Sequence, residues 1–265
     1  MRIRELKNEA QAKLSGKWTL AVEINFLHLI ITLVLSYVAN AVQGAVASII
    51  ALILGIITIP LSYGLSASML KLSRDEVVGV TDFITIGFKN FKRAFFLSLS
   101  IFVRVLVPII LMIFAGVLTI VGAFAESASG IISLVALLLV VGSIIWMMYK
   151  ILSYALCTYL LIDDENAKSK DVIKRSTELM KGNKARFVGL VLSFFGWLLL
   201  AGFVSGVVQA FNEILGTIAT YGLSLLLTPY ITFAEIAFYE DLASVKEVQA
   251  DVVEKTTVEE PSVEE

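Results

Sequence analysis

"ELMKGNKARFVGLVLSFFGWLLL" (residues 178–200) brings Lys181, Lys184 and Arg186 up against an unbroken apolar run. No charged residue follows until Glu213. At about 1.5 Å per helical residue, that run is long enough to cross a hydrocarbon layer of about 30 Å. Lys and Arg resist translocation, so the cations before Phe187 mark the end of this segment that stays at the inner face.

The rest of the chain is written the same way. Of its 265 residues 58% are hydrophobic and 17% charged, and the mean hydropathy is +0.87, so too few polar side chains remain to cover a soluble core. Six apolar blocks, roughly 19–40, 45–70, 94–122, 131–161, 187–210 and 214–238, can each span a bilayer. In lipid each must satisfy its own backbone and is expected to be helical. Pro60, Pro108 and Pro229 fall inside blocks as candidate kinks. The first block is too long for a cleavable signal peptide, and a charged helix precedes it.

The connections alternate in charge. Segments 1–18, 71–93, 162–186 and 239–265 hold 5, 5, 7 and 2 Lys plus Arg, whereas the turns 41–44, 123–130 and 211–213 hold none. The fold class is therefore all-α, a polytopic protein with six transmembrane helices and both termini cytoplasmic. Inner-face basic junctions are Lys17, Lys92, Arg93, Lys181, Lys184 and Arg186. Anionic headgroups of membrane lipids are their natural partners. The net charge of −2 implies no nucleic-acid partner.

Three cytoplasmic amphipathic helices are expected, in "RIRELKNEAQAKLSG" (2–16), "TDFITIGFKNFKRAF" (81–95) and "SKDVIKRSTELMKGN" (169–183). Gly16, and Gly182 or Asn183, are placed as helix stops. Each helix precedes a basic junction and two apolar blocks, which suggests a three-fold repeat of helix plus transmembrane hairpin. "LSYGLSASML" (61–70) and "LSYALCTYLL" (152–161) echo one another within it. Residues 1–242 form one membrane domain, and 243–265, acidic and poor in aromatics, is expected to be a disordered tail.

Ionisable groups inside the blocks are the candidate functional residues: Arg104, Lys150, Glu23, Glu235 and His28. Arg104 lies about 16 Å along its helix from Arg93, near mid-depth. The charges either pair and hold the bundle together or line a polar cavity that binds or passes a solute. His28 either bonds a neighbouring helix or relays protons. "GFVSG" (202–206) has the spacing of a close helix contact. Cys157 is expected to be a buried packing residue. Phosphate-loop, zinc-protease and nucleophile-elbow motifs are missing, and "DDEN" (163–166) reads as a solvated turn; no enzyme, cofactor or metal site is expected.

The stretch "KRSTELMKGNKARFVGLVLSFFGWLLL" (174–200), with "RELKNEAQAKLSGKW" (4–18) and "PYITFAEIAFYEDL" (229–242), resembles the bacterial membrane family catalogued as domain of unknown function 975. Its most specific residues here are Ser176, Met180, Gly182, Lys184, Phe187, Ser193, Phe194, Gly196, Trp197, Pro229, Tyr230, Phe238 and Tyr239. The resemblance implies a multi-pass plasma-membrane protein, mostly of Gram-positive bacteria, with no assigned activity. It also implies a distant similarity to the membrane portion of some glycerophosphodiester phosphodiesterases. "DDEN" stands where the family tends to show an Asp-Asn-Pro-like turn. The expected function is non-enzymatic contact with, or organisation of, lipids or envelope partners; the alternative is a small transporter or channel.

Overall fold

The computed structural model describes residues 1–124 and 129–258, and every regular element among them is a helix. The middle of the 123–130 turn and the last residues of the acidic tail, 259–265, lie outside the described residues. The helices are α1 (Ile3–Leu14), α2 (Trp18–Ala41), α3 (Ala45–Ser73), α4 (Asp82–Lys89), α5 (Phe91–Phe124), α6 (Ser129–Tyr154), α7 (Cys157–Asp163), α8 (Ser169–Met180), α9 (Lys184–Phe211) and α10 (Glu213–Val258). Six stretches are long and apolar enough to cross a membrane: Trp18–Ala41, Val46–Ser73, Phe91–Gly122, Gly130–Asp163, Lys184–Phe211 and Glu213–Val245. They coincide with the six apolar blocks.

Three local features stand out. The fourth stretch is not one rod: α6 stops at Tyr154 and α7 begins at Cys157. α10 continues to Val258, past residue 243 where composition places the start of a disordered tail. Helices α3, α5 and α10 run through Pro60, Pro108 and Pro229 without ending.

The chain divides into two compact units, Met1–Lys89 with Ala185–Glu265, and Asn90–Lys184. In the first, α1 buries Leu6, Ala10 and Leu14, one apolar stripe at helical spacing. Gly16, at φ +77°, ends it in a conformation that costs other residues a Cβ clash. α1 lies along α10, whose Phe233, Ala234, Ile236, Ala237 and Phe238 are fully buried. α4 crosses α3 backbone to backbone. A methyl at Gly64 would fall on the carbonyl of Phe83, and one at Gly87 on the carbonyl of Pro60. Two glycines, one on each helix, thus set the distance between them.

In the second unit α5 and α6 form a long hairpin, and α8 packs on α5, α6 and α7. α8 buries Val172, Ile173, Ser176, Leu179 and Met180. The Ser176 hydroxyl donates to the carbonyl of Ser153 at 2.8 Å, just before the α6–α7 break. Carbonyls near a helix end lack intrahelical partners, and a buried one needs a donor from elsewhere. Ser176 supplies it.

Packing is uneven along the spans of each unit. Next to α1, α4 and α8 the side chains are buried; away from them they face outward, as with Leu52 at 66%, Ile113 at 62% and Phe203 at 71% exposed. Exposing a large apolar side chain to water costs roughly 1.5–3 kcal/mol, so this array requires a hydrocarbon solvent. The chain is a multi-pass helical membrane protein.

Gly64→Ala and Gly87→Ala should each destabilise the folded chain by about 1–3 kcal/mol through overpacking. Gly55→Ala, where a methyl meets open space on the same α3, should be near neutral. Thermal unfolding midpoints in mild detergent check this; three equal midpoints would contradict the close crossing. By the same measurement Ser176→Ala should cost about 1–3 kcal/mol, because the Ser153 carbonyl is left buried and unpaired.

Candidate functional site at the basic ends of the hairpins

The polar chemistry of the first unit gathers where α1 ends, α2 begins and α3 ends. The Lys17 ammonium donates to the Leu72 carbonyl in the last turn of α3 at 2.8 Å and pairs with Asp75 at 2.6 Å. Glu240 of α10 receives Lys13 and Arg74, the latter at 3.0 Å. Asp241 receives Arg186 and the N-terminal ammonium, the latter at 3.1 Å. Burial alone would lower the pKa of Lys13, but its bonds to Glu240 and Glu9 outweigh this and raise it, so Lys13 is charged at neutral pH. Aromatic rings complete the junction: Arg186 stands 5.1 Å from the Phe238 ring centroid and Lys7 4.5 Å from that of Phe194.

Two cavities open deeper in this unit. One of about 240 Å³ is lined by Asn25, His28, Thr32, Leu65, Ser224 and Thr228, among others. Its hydroxyls mostly donate back into their own helices: Thr32 to the His28 carbonyl at 2.9 Å and Thr228 to that of Ser224 at 2.8 Å. The other, about 300 Å³, lies among Gln11, Trp18, Trp197, Leu226, Leu227 and Tyr230.

In the second unit Arg93 at the start of α5 donates to the carbonyls of Leu161 at 2.9 Å and Asp164 at 2.5 Å. It closes the end of α7 as Lys17 closes the end of α3. Lys184 sits over the Tyr149 ring, 2.9 Å from its centroid, and donates to the Tyr149 carbonyl at 3.4 Å. A cavity of about 480 Å³ is lined by Lys92, Arg93, Phe96, Leu161 and the loop from Glu165 to Ser169.

The predicted intramembrane residues have separate surroundings. Arg104, half-buried, bends back one turn to donate to the Ser100 carbonyl at 2.7 Å. Lys150 is half-buried, with no hydrogen bond or ion pair among the described residues. Glu23 is exposed on α2, and Glu235 is half-buried on α10. His28 meets the edge of Phe83, ring centroids 5.8 Å apart, and lines the 240 Å³ cavity. Cys157 is buried. Of the junction cations, Lys17, Arg93, Lys184 and Arg186 make internal contacts; Lys92 and Lys181 are exposed.

The "GFVSG" spacing makes no close helix contact within this unit, since a methyl at Gly202 or Gly206 meets open space. The acids Glu240 and Asp241 were missed as a site, although "YEDL" closes the last apolar block and that position alone signals an interfacial partner for the cations. Lys168 was missed too, being one cation among seven in its segment.

Most residues that carry the family resemblance turn out to be packing residues. Ser176, Met180, Phe194, Phe238 and Tyr239 are at most 2% exposed. Phe187 packs on Phe238 and Phe194 on Tyr230, ring centroids 5.1 Å apart in each pair. No curated protein and no solved structure matches the chain. A family model does, over residues 1–246, under the description "Protein of unknown function (DUF975)". The match covers nearly the whole chain, and the protein belongs to that family.

Proposed function

We propose that this chain is a non-enzymatic protein of the bacterial plasma membrane, with both termini cytoplasmic, that contacts and organises anionic lipids or envelope partners at the inner face. One observation carries the reading. The cations of each unit gather at one end of its spans, beside the short helices, and the other turns hold none. Cations at that level resist translocation and attract anionic headgroups at about 1 kcal/mol each. Organising rather than catalytic work fits a chain whose specific residues are spent on packing its own helices.

The 240 Å³ cavity favours a second reading, a small transporter or channel, because Asn25, His28, Thr32, Ser224 and Thr228 put polar groups inside apolar spans. Filling it discriminates. If the cavity passes a solute, Thr228→Leu should abolish flux of small polar solutes into proteoliposomes while the folded protein persists. Flux indistinguishable from empty vesicles in both forms removes this reading.

Orientation is tested with single cysteines, the buried Cys157 staying silent. Gln43→Cys and Asn212→Cys should react with an impermeant thiol reagent on intact cells. Ser15→Cys and Lys181→Cys should react only after permeabilisation. The reverse pattern, or a mixed one, would defeat the proposed topology.

A further inference from the structure

We infer that the cavity between the start of α5 and the start of α8 is a binding site for a phosphate-bearing anion, the headgroup phosphate of an anionic phospholipid or free phosphate. The inference rests on the inner-face reading above and narrows it to one site. Three cationic side chains, Lys92, Arg93 and Lys168, line the cavity against a single carboxylate, Glu165. Arg93 is already bound to the Leu161 and Asp164 carbonyls, so it fixes the wall and supplies charge. The Lys92 and Lys168 side chains are exposed and make no ion pair or hydrogen bond among the described residues. Their ammonium groups are free for a ligand.

The backbone adds to this field. Lys92 and Arg93 are the second and third residues of α5, and Ser169 is the first of α8, so two helix N-termini meet at one cavity. The N-cap residue of α8 is Lys168, so no side chain caps the leading amides. The Ser169 and Lys170 amides and the Ser169 hydroxyl are donors beside the lysines, while the Asp171 and Val172 amides are taken by the Lys168 carbonyl. The Asp164 carboxylate is turned to the Asn166 amide at 3.1 Å, within its own turn.

Size and flank point to a headgroup. About 480 Å³ exceeds what a bare phosphate fills and accommodates a phosphoglycerol unit. Phe96, 57% exposed one turn into α5, lines the side from which an acyl chain would run along the span. Phosphate oxygens would sit among Lys92, Lys168 and the Ser169 and Lys170 amides, with the glycerol toward Asn166.

The test uses the full chain in mild detergent and native mass spectrometry with phosphatidylglycerol, phosphatidylcholine or inorganic phosphate. Wild type should retain phosphatidylglycerol over phosphatidylcholine. Lys92→Gln/Lys168→Gln should weaken that retention about tenfold or more. The control Lys170→Gln/Lys174→Gln removes two exposed charges of α8 outside the cavity and should leave retention unchanged. Glu165→Gln should strengthen it severalfold, a change of sign that general damage to the fold cannot mimic. Inorganic phosphate that binds with the same dependence on Lys92 and Lys168 identifies free phosphate as a ligand; binding by the lipid alone identifies the headgroup. Equal losses in the two double variants would overturn the cavity while leaving diffuse headgroup attraction standing. Equal retention of both lipids by wild type, with no phosphate bound, would overturn the cavity and the inner-face reading together.

Discussion

Everything in this fold depends on what happens where an apolar helix returns to the level of the cations. The last carbonyls of such a helix have no intrahelical donors, and they carry the negative end of the helix dipole. Lys17 and Arg93 answer both needs. Each sits where its hairpin begins, and each donates to a carbonyl where that hairpin ends, Leu72 and Leu161 respectively. A cation that cannot cross the membrane therefore also closes the helix that comes back.

The returning α10 does not stop at that level, so it has no free carbonyls to offer. Its Glu240 and Asp241 take the cations instead, through Lys13, Arg74, Arg186 and the chain's own amino terminus. These pairs hold α1 along α10 while Leu6, Ala10 and Leu14 fill the space beneath. Ion pairs of this kind, half-buried but still reached by solvent, contribute on the order of 1 kcal/mol apiece, and the buried apolar stripe contributes more. The charges set register; burial holds the helix down.

This division explains what the sequence made legible. Hydrophobic length located all six spans, because that signal comes from the solvent rather than from neighbours; the helix expected over 81–95 instead ends at Lys89, and Phe91 already begins the next span. Gly16 was readable as a helix stop because the run of apolar spacing ended there. The α6–α7 break was not readable: "ILSYALCTYL" (151–160) is apolar throughout, and the donor that stabilises the break is Ser176, distant in sequence. Close helix contact was sought at Gly202 and Gly206, which carry the usual spacing, and lies at Gly64 and Gly87, which share no local pattern. Such contacts are pairwise, and one helix read alone holds half the information. Among the site candidates, the contacts were not legible. Arg104 bends to its own backbone, a contact that spacing from Arg93 could not reveal.

Counting the uses of each cation then separates structural charge from charge available to a ligand. Lys17, Arg93 and Arg186 are held by carbonyls or carboxylates, and Lys184 by an aromatic ring and a carbonyl. An ammonium that already has a partner offers an incoming anion only its residual field. Lys92 and Lys168 have none to give up, and they share a concave wall with helix N-termini whose dipoles carry the same sign. Positive charge is therefore abundant at the basic ends of the helices in each unit, but in the second unit unspent charge inside a cavity is concentrated at the start of α5 and α8. An anion gains there from both lysines at once without breaking any bond that the fold needs, which is the physical condition for a site rather than a merely basic surface.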